Sequence, residues 1–237
     1  MKLFLIPYAG GSEYIYNDFH KYLDNDIEVI PVKLKGRGSR IMESCYKSVE
    51  EAVDDIFIQI YPEILNDDYS IFGHSMGSLL AYELYYKIRS EGCRMPSHMF
   101  FSGLGSPKKI QHAPKYAGLS DREFEHKIME MGGTPQEVLE CEEFMDFFRP
   151  ILRGDFSMIE KYVFKPQKLG IKCNTAVLVG KEDVKYCDGI EEWDELIDSN
   201  ISYYEFEGGH FYFNANKAEL GHVLNTELHR RISLVPS

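Results

Sequence analysis

The sequence predicts an α/β fold, in which a mostly parallel β-sheet is flanked by helices. Short runs of β-branched and aromatic residues alternate with longer segments whose apolar residues recur at helical spacing. This repeated order of strand, helix and strand is typical of a parallel sheet that helices cover on both faces. The 237 residues, of which 44% are hydrophobic, suit a single globular domain over 1–237 that carries one insertion.

Six segments have the composition and length of strands. Val, Ile, Phe and Tyr are frequent in them, and several end at Gly or Pro, which commonly terminate strands. The predicted strands are 2–7, 27–34, 69–74, 98–104, 175–180 and 201–208.

Three segments beside these strands have the pattern of helices. Val49, Val53 and Ile56 belong to an apolar stripe at helical spacing. A second segment ends at Gly92, a residue suited to terminate a helix. The predicted helices are 48–65, 77–92 and 216–232.

Residues 107–165 interrupt this alternation, because they contain no convincing strand. Ser120 and Glu123 have the spacing of a capping box at the start of a helix. The segment 135–156 is rich in Phe and Leu. Some 60 residues are too many for a connection between two strands, so we interpret 107–165 as a helical lid inserted into the domain. A second small domain with its own role is the alternative.

Composition and charge exclude several classes of protein. The net charge of −12 argues against binding to nucleic acid or to an anionic membrane. No apolar run reaches the ~18 residues of a membrane span, and the run at 3–6 is too short for a signal peptide. Five widely spaced cysteines with no C-x-x-C fit reduced thiols. We therefore expect a soluble, cytoplasmic protein.

The stretch IFGHSMGSLL, residues 71–80, places a serine between two glycines where a predicted strand meets a predicted helix. A sharp strand-to-helix turn crowds the residues two before and two after its corner. Gly73 and Gly77 would relieve that crowding, so that Ser75 projects above the sheet as a nucleophile. The alternative is an ordinary glycine-rich turn, because G-x-S-x-G is a weak motif by itself.

A serine nucleophile needs a base and a carboxylate that orients the base. In hydrolases with such a turn, the chain order is Ser, acid, His. His210 directly follows a late strand, behind two glycines, and is the candidate base. After the preceding strand, the G-x-x-D spacing favours Asp183 as the acid, with Glu182 as the alternative.

The tetrahedral intermediate of such a reaction needs two backbone N–H donors. The residue after the nucleophile, Met76, would supply one. The glycine-rich loop PYAGGS (7–12) would supply the other, most favourably from Ala9 and otherwise from Tyr8 or Gly10. We expect four aromatic side chains to contact substrate, namely Tyr8, Phe144, Phe148 and Phe211.

With these motifs, the chain resembles the discrete (type II) thioesterases that accompany nonribosomal peptide and polyketide synthetases. The similarity covers nearly the whole length, although Tyr8 stands where Phe is commoner in the family. The shared motifs are PYAGG (7–11), GRG (36–38), GHSMG (73–77), MGGTP (131–135), G-x-x-D (180–183) and GGHFYF (208–213).

The resemblance implies an α/β-hydrolase fold with a helical lid, and hydrolysis of acyl groups from the phosphopantetheine arm of carrier-protein domains. It carries the roles of nucleophile, acid and base onto Ser75, Asp183 and His210. We expect no cofactor and no metal, because the sequence has neither a metal-ligand cluster nor a P-loop. Alternatives are an esterase or lipase, an acyl-CoA or medium-chain acyl thioesterase with the same triad, and a non-catalytic binding module.

Carrier proteins of these systems are generally acidic, as the resemblance implies, and this chain is acidic too. Docking would then need a local basic patch near the carboxyl ends of the strands. Two sequence clusters are candidates, although solvated surface lysines are the simpler interpretation. They are Lys33, Lys35, Arg37 and Arg40, and Lys108, Lys109 and Lys115.

Overall fold

The computed structural model describes residues 1–132 and 141–230. Its centre is a six-stranded sheet in which every neighbouring pair of strands is parallel. The strand order is β2-β1-β3-β4-β5-β6. The strands are β1 Lys2–Ile6, β2 Glu28–Pro31, β3 Tyr69–His74, β4 His98–Ser102, β5 Asn174–Gly180 and β6 Ile201–Phe206.

Each of the predicted strands is confirmed, with small differences at the ends. The largest concerns β2, which ends at Pro31 although the sequence predicts a strand to residue 34. Because β2 lies at one edge of the sheet, a proline that cannot donate a hydrogen bond is tolerated there. Val32 still donates to the Leu5 carbonyl at 2.9 Å, after which the chain turns away from the sheet.

Alternate residues of each strand point to opposite faces, and each face is buried by different helices. In β1, Phe4 and Ile6 join one hydrophobic cluster, whereas Leu3 and Leu5 join the other. The helices are α1 Val49–Ile64, α2 Met76–Ser90, α3 Asp121–Met131, α4 Glu142–Glu160 and α5 Lys217–Leu228. The first cluster includes apolar residues of α1 and α2, and the second those of α5 and of the 3₁₀ segment Glu13–Tyr16.

The connection between β4 and β5 contains α3, α4 and the 3₁₀ segment Pro107–His112. The capping box predicted at Ser120 and Glu123 is present at the start of α3. A separate small hydrophobic cluster joins α3 to α4 through Phe124, Ile128 and Phe156, among others. Of the MGGTP motif, residues 133–135 lie outside the described residues, as do 231–232 of the predicted terminal helix.

The register of the sheet aligns the ends of the central strands. Ile6 of β1 lies beside Gly73 of β3, and His74 of β3 lies beside Ser102 of β4. The loop after β1, the turn after β3 and the loop after β4 therefore meet at one edge of the sheet. In the described ranges, none of the helices has the length and apolar character needed to cross a membrane.

Candidate active site

Ser75 occupies a strained turn between β3 and α2. Its φ of 56° and ψ of −116° make it the one non-glycine residue with positive φ among the described residues. A Cβ at Gly73 would lie 2.1 Å from the Gly77 carbonyl oxygen, and a Cβ at Gly77 would lie 2.2 Å from the Ile6 carbonyl oxygen. Both glycines are therefore required by close backbone approach, as the motif predicts, and the turn lifts Ser75 above the sheet.

A buried serine on the first turn of α2 ties this strained turn to β4. The Ser78 hydroxyl lies 2.7 Å from the Gly73 carbonyl and 2.8 Å from the Ser102 carbonyl, and it accepts a hydrogen bond from the Ser102 amide. The Ser75 amide also donates to the Ser102 carbonyl at 2.7 Å. Such interlocking contacts hold a backbone conformation that would otherwise relax. No sequence motif marks Ser78, because its hydrogen bonds depend on the neighbouring strand β4.

The structure brings Ser75, His210 and Asp183 together in a hydrogen-bonded chain. His210 Nε2 lies 2.9 Å from Ser75 Oγ, and His210 Nδ1 lies 2.7 Å from Asp183 Oδ2. His210 and Asp183 are buried. Since the carboxylate can only accept, Nδ1 carries the proton in this arrangement and Nε2 is free to accept one from Ser75. The geometry is that of a nucleophile, its base and an orienting carboxylate.

Asp183, and not its neighbour Glu182, faces the histidine. The Glu182 side chain is exposed to solvent, whereas its amide donates to the Gly208 carbonyl at 3.0 Å. The Asp183 carboxylate also accepts a hydrogen bond from the Cys187 thiol, with Sγ 3.3 Å from Oδ2. Burial, and then the Asp183 charge, raise the pKa of the Cys187 thiol, so this thiol stays protonated and can donate. No local sequence pattern marks Cys187, because its contact with Asp183 depends on the turn that follows β5.

His74, the residue before the nucleophile, lies fully buried beneath His210. Its Nδ1 is 2.8 Å from Ser102 Oγ, which in turn is 2.6 Å from the Tyr212 hydroxyl. Its Nε2 is buried and makes no hydrogen bond of good geometry to the described residues. Burial, and then the neighbouring His210, lower the pKa of His74 well below the ordinary value, so the ring is neutral.

Two backbone amides predicted as oxyanion donors, those of Met76 and Ala9, have no hydrogen-bond acceptor among the residues that the structure describes. By contrast, Gly10 N donates to Asp155 Oδ2 at 2.8 Å, which leaves Gly10 unavailable. Gly11 N donates to the Tyr8 carbonyl at 2.9 Å and closes the loop. Of the alternatives within this loop, Gly10 is therefore disfavoured, whereas Ala9 remains, as does Tyr8, whose amide likewise has no acceptor among the described residues.

Two cavities of about 270 Å³ each meet at Ser75. The first, which we name the β4-side cavity, lies against the loop after β4 and is lined by Leu79, Leu104, Ile110, Tyr116 and Ile159, among others. The second, which we name the oxyanion-side cavity, includes the loop after β1 and His210. All four aromatic residues expected to contact substrate line it, namely Tyr8, Phe144, Phe148 and Phe211.

The apolar stripe of α4 divides between packing and cavity lining. Met145 and Ile151 are buried, and Phe147 is exposed. Phe144, Phe148 and Leu152 line the oxyanion-side cavity, and Phe156 lines both cavities. As expected for an amphipathic helix laid over a site, only part of the stripe faces the cavities.

The basic clusters expected from the sequence are largely neutralised within the chain. Arg37 does not lie on the surface at all, since it is buried in an ion pair with Asp155. Lys35 lies 3.6 Å from Asp55, with which Arg40 also pairs. Lys33 is exposed. Because Arg37 is buried, the interpretation of Lys33, Lys35, Arg37 and Arg40 as one docking patch is wrong.

In the second cluster, Lys108 forms an ion pair with Glu195, and Lys109 forms ion pairs with Asp188 and Glu192. Lys115 is exposed.

Within the described ranges, one group of side chains has the spacing of metal ligands. Asp24, Asp26 and His229 are all exposed, and none of them lines either cavity. Exposed carboxylates often lie close together without binding an ion, so this group carries no assignment.

The strand–turn–helix at Ser75, the parallel sheet and the Ser, Asp, His order define a serine hydrolase of the α/β-hydrolase fold. Within that class, the chain belongs to the thioesterase domain family, whose model matches residues 1–229. It is 31% identical to the gramicidin S biosynthesis protein GrsT of Aneurinibacillus migulanus, over 100% of this chain and 91% of that protein.

Two further comparisons agree with this family. The chain is 30% identical to the medium-chain S-acyl fatty acid synthase thioesterase of Homo sapiens, over 89% of this chain and 80% of that protein. The crystal structure of ClbQ from the colibactin NRPS/PKS pathway is similar with a TM-score of 0.88 and 29% identity, over 96% of each chain. The resemblance to thioesterases of synthetase systems is thereby confirmed.

Proposed function

We propose that this protein releases acyl groups from the phosphopantetheine arm of carrier-protein domains in a nonribosomal peptide or polyketide synthetase. Membership of the thioesterase family and the similarity to GrsT and ClbQ support the reaction and its setting. The observation that carries the proposal is the hydrogen-bonded chain from Ser75 through His210 to Asp183, with distances of 2.9 and 2.7 Å.

In the proposed mechanism, Ser75 Oγ attacks the thioester carbonyl while His210 Nε2 takes the hydroxyl proton. Asp183 holds the proton on Nδ1 and stabilises the imidazolium. The Ala9 and Met76 amides stabilise the tetrahedral oxyanion. When this intermediate collapses, His210 returns the proton to the leaving thiol and an acyl-serine remains. His210 then activates a water molecule, which releases the carboxylic acid and regenerates Ser75.

The two cavities would separate the two halves of the substrate. A thiol that takes its proton from His210 must leave on the side of the site where His210 lies. We therefore place the pantetheine arm in the oxyanion-side cavity, which His210 and Phe211 line. The acyl chain would then lie in the β4-side cavity, among Leu79, Ile110 and Ile159. Apolar walls of this kind suit a hydrocarbon chain.

We assign the insertion 107–165 the role of a lid over both cavities. Support comes from α3 and α4, which contribute Ile128, Phe148 and Phe156 to the cavity walls. A lid would admit a tethered acyl group and shield the acyl-enzyme from premature side reactions. The proposed location is the reducing cytoplasm. There, all five cysteines would remain free thiols, as they are in the structure.

A medium-chain acyl thioesterase of fatty acid synthesis is the second candidate, favoured by the similarity to the human enzyme. The test compares a decanoyl and an aminoacyl thioester on a synthetase carrier protein with decanoyl-coenzyme A and a p-nitrophenyl ester. We expect the carrier-protein thioesters to have the highest kcat/KM. Preference for the p-nitrophenyl ester would identify an esterase instead, and preference for decanoyl-coenzyme A would favour the second candidate.

Ser75→Ala is the matched inactive variant for this comparison. Loss of the nucleophile should lower kcat by about 10⁶, as for other triads. Fluorophosphonate labelling should be lost in parallel. If Ser75→Ala kept more than about a tenth of the activity, the assignment of the nucleophile would fail.

A further inference from the structure

A buried ion pair links the lid to the loop that carries Ala9. Asp155, on α4, has a side chain that is 2% exposed, and Arg37, in the loop after β2, has one that is 3% exposed. Arg37 Nη2 donates to Asp155 Oδ1 at 2.7 Å, and Nη1 donates to Oδ2. The same Oδ2 accepts the hydrogen bond from Gly10 N at 2.8 Å. One carboxylate therefore joins three segments that are distant in sequence.

Burial makes this pair costly unless all of its polar atoms are satisfied. Burial lowers the pKa of Arg37, but the adjacent Asp155, with smaller contributions from Cys45 and Tyr46, leaves this pKa above its ordinary value, so the guanidinium stays charged. Its Nε donates to the Lys35 carbonyl at 3.1 Å. Each side-chain nitrogen of Arg37 and each carboxylate oxygen of Asp155 thus has a hydrogen-bond partner in the present position of α4. Moving α4 away would leave Arg37 without its counterion and Gly10 N without its acceptor.

The helix also packs directly on the same loop. Gly10 has a φ of 79°, and a Cβ there would lie 2.6 Å from Leu152 Cδ2 and 2.9 Å from Phe148 Cζ. On the other side of the loop, Glu13 accepts a hydrogen bond from Ser39 N at 2.8 Å and so ties the loop to the segment after Arg37. The helix α4 therefore holds Gly10 through Leu152, Phe148 and Asp155. The neighbouring residue, Ala9, supplies the backbone amide proposed as an oxyanion donor.

We propose that Asp155 is a positioning residue for hydrolysis. By accepting the hydrogen bond from Gly10 N, Asp155 aligns the neighbouring Ala9 amide with the oxyanion. This alignment exists only while α4 covers the site. This inference rests on the proposed function, because it concerns the oxyanion of the thioester reaction. Asp155 touches no reacting atom. Because Asp155 lies on α4, the oxyanion hole is correctly arranged only when the lid is closed. A substrate is therefore cleaved only after the lid has enclosed it.

The test uses two double variants that both lack the ion pair. Arg37→Met/Asp155→Asn keeps a side-chain oxygen that can accept from Gly10 N, whereas Arg37→Met/Asp155→Leu offers no acceptor in nearly the same volume. Replacing both charges avoids the large destabilisation of a lone buried ion. With a decanoyl carrier-protein thioester, we expect the Leu variant to lose about 10- to 100-fold in kcat relative to the Asn variant, with unchanged KM.

A second measurement separates alignment of the oxyanion hole from general stability. A decanoyl trifluoromethyl ketone forms a tetrahedral adduct with the serine, so its affinity should fall in parallel with kcat in the Leu variant alone. Thermal unfolding of both variants shows that each is folded at the assay temperature. Equal kcat and equal affinity for the ketone in the two folded variants would overturn the proposal.

If either variant fails to fold, the unmodified protein still decides the matter. Amide exchange followed by NMR should show strong protection of the Gly10 proton, which is donated to the buried Asp155 carboxylate. Exchange of Gly10 as fast as that of Gly118, which is exposed and whose amide has no acceptor among the described residues, would overturn the proposal. Failure of the unmodified protein to hydrolyse any thioester would instead overturn the proposed function, so the two failures are distinguishable.

Discussion

The ring of His74 lies with its centroid 5.2 Å from that of His210, and His74 has no solvent-exposed surface. During the proposed reaction, His210 becomes positively charged. A positive charge on His74, at this distance in a buried site, would oppose the protonation of His210. The lowered pKa of His74 keeps its ring neutral, so His74 supports His210 by packing without competing for the proton.

The buried neutral state of His74 predicts a pH dependence of stability. In the unfolded chain His74 binds a proton below about pH 6.5, whereas in the folded protein it does not. The unfolded state therefore binds more protons, and the free energy of unfolding falls as pH decreases below about 6.5. His74→Asn should reduce this slope by up to about 1.4 kcal/mol per pH unit.

Urea unfolding at several pH values between 5 and 7 measures the effect. His98, whose pKa is also lowered chiefly by burial, contributes in the same direction, so some slope should remain in His74→Asn. A variant with the slope of the unmodified protein would show that His74 is not the group responsible.

Asp183→Asn should lower kcat by about 10⁴, because an amide at this position favours the wrong tautomer of His210. Glu182→Gln is the matched control, since Glu182 is the adjacent carboxylate and is exposed. We expect it to retain nearly full activity. Steady-state hydrolysis of one carrier-protein thioester compares the two variants, and a larger loss in Glu182→Gln would transfer the role of the acid.

A matched pair of substitutions distinguishes the two cavities. Ile110 lines the β4-side cavity and Ile128 the oxyanion-side cavity, and both are buried. Ile110→Trp should reduce kcat/KM for a decanoyl thioester at least about tenfold while sparing the acetyl thioester. Ile128→Trp should reduce both equally, because it obstructs the pantetheine arm, and should spare p-nitrophenyl acetate. The reverse pattern would exchange the cavity assignments.

If 107–165 acts as a lid, amide exchange in α3 and α4 should slow when the site is filled. Reaction of Ser75 with a long-chain acyl phosphonate should slow exchange within α3 and α4, because the bound chain holds these helices over the cavities. Ser75→Ala treated with the same reagent is the control. With complete labelling confirmed by mass spectrometry, unchanged exchange in α3 and α4 would contradict a gating role.

The six strands could be predicted because each is a short run rich in apolar, β-branched or aromatic residues, which is a local property of the sequence. The four inner strands are mostly buried, whereas β2 and β6 at the edges of the sheet are only partly buried. The positions of Ser75 and His210 were also predictable, since each follows directly from the end of a strand. Asp183 and Glu182 could be ranked but not separated from sequence. What separates them is the turn after Gly180, which buries one carboxylate against His210 and exposes the other.

Arg37 shows where sequence reasoning fails. Beside Lys35 and Arg40 it has the pattern of a solvated basic cluster. Its partner Asp155 is 118 positions further along the chain, in a helix whose amphipathic pattern gives no sign of a buried ion pair. Such a pairing is a property of tertiary packing and cannot be derived from local spacing. The same holds for Ser78 and Cys187, whose hydrogen bonds depend on neighbouring strands and turns.

The helices α3 and α4 are inserted between β4 and β5, which are inner strands of the sheet and pair directly with each other. Because the sheet fixes both ends of the insertion, its length and sequence are free to diverge without changing the distance from Ser75 to His210. A family built this way can acquire new acyl preferences by exchanging one contiguous segment of its gene. The contact of Asp155 with Arg37 and Gly10 restricts that freedom, because an exchanged segment must still deliver a carboxylate to the same point.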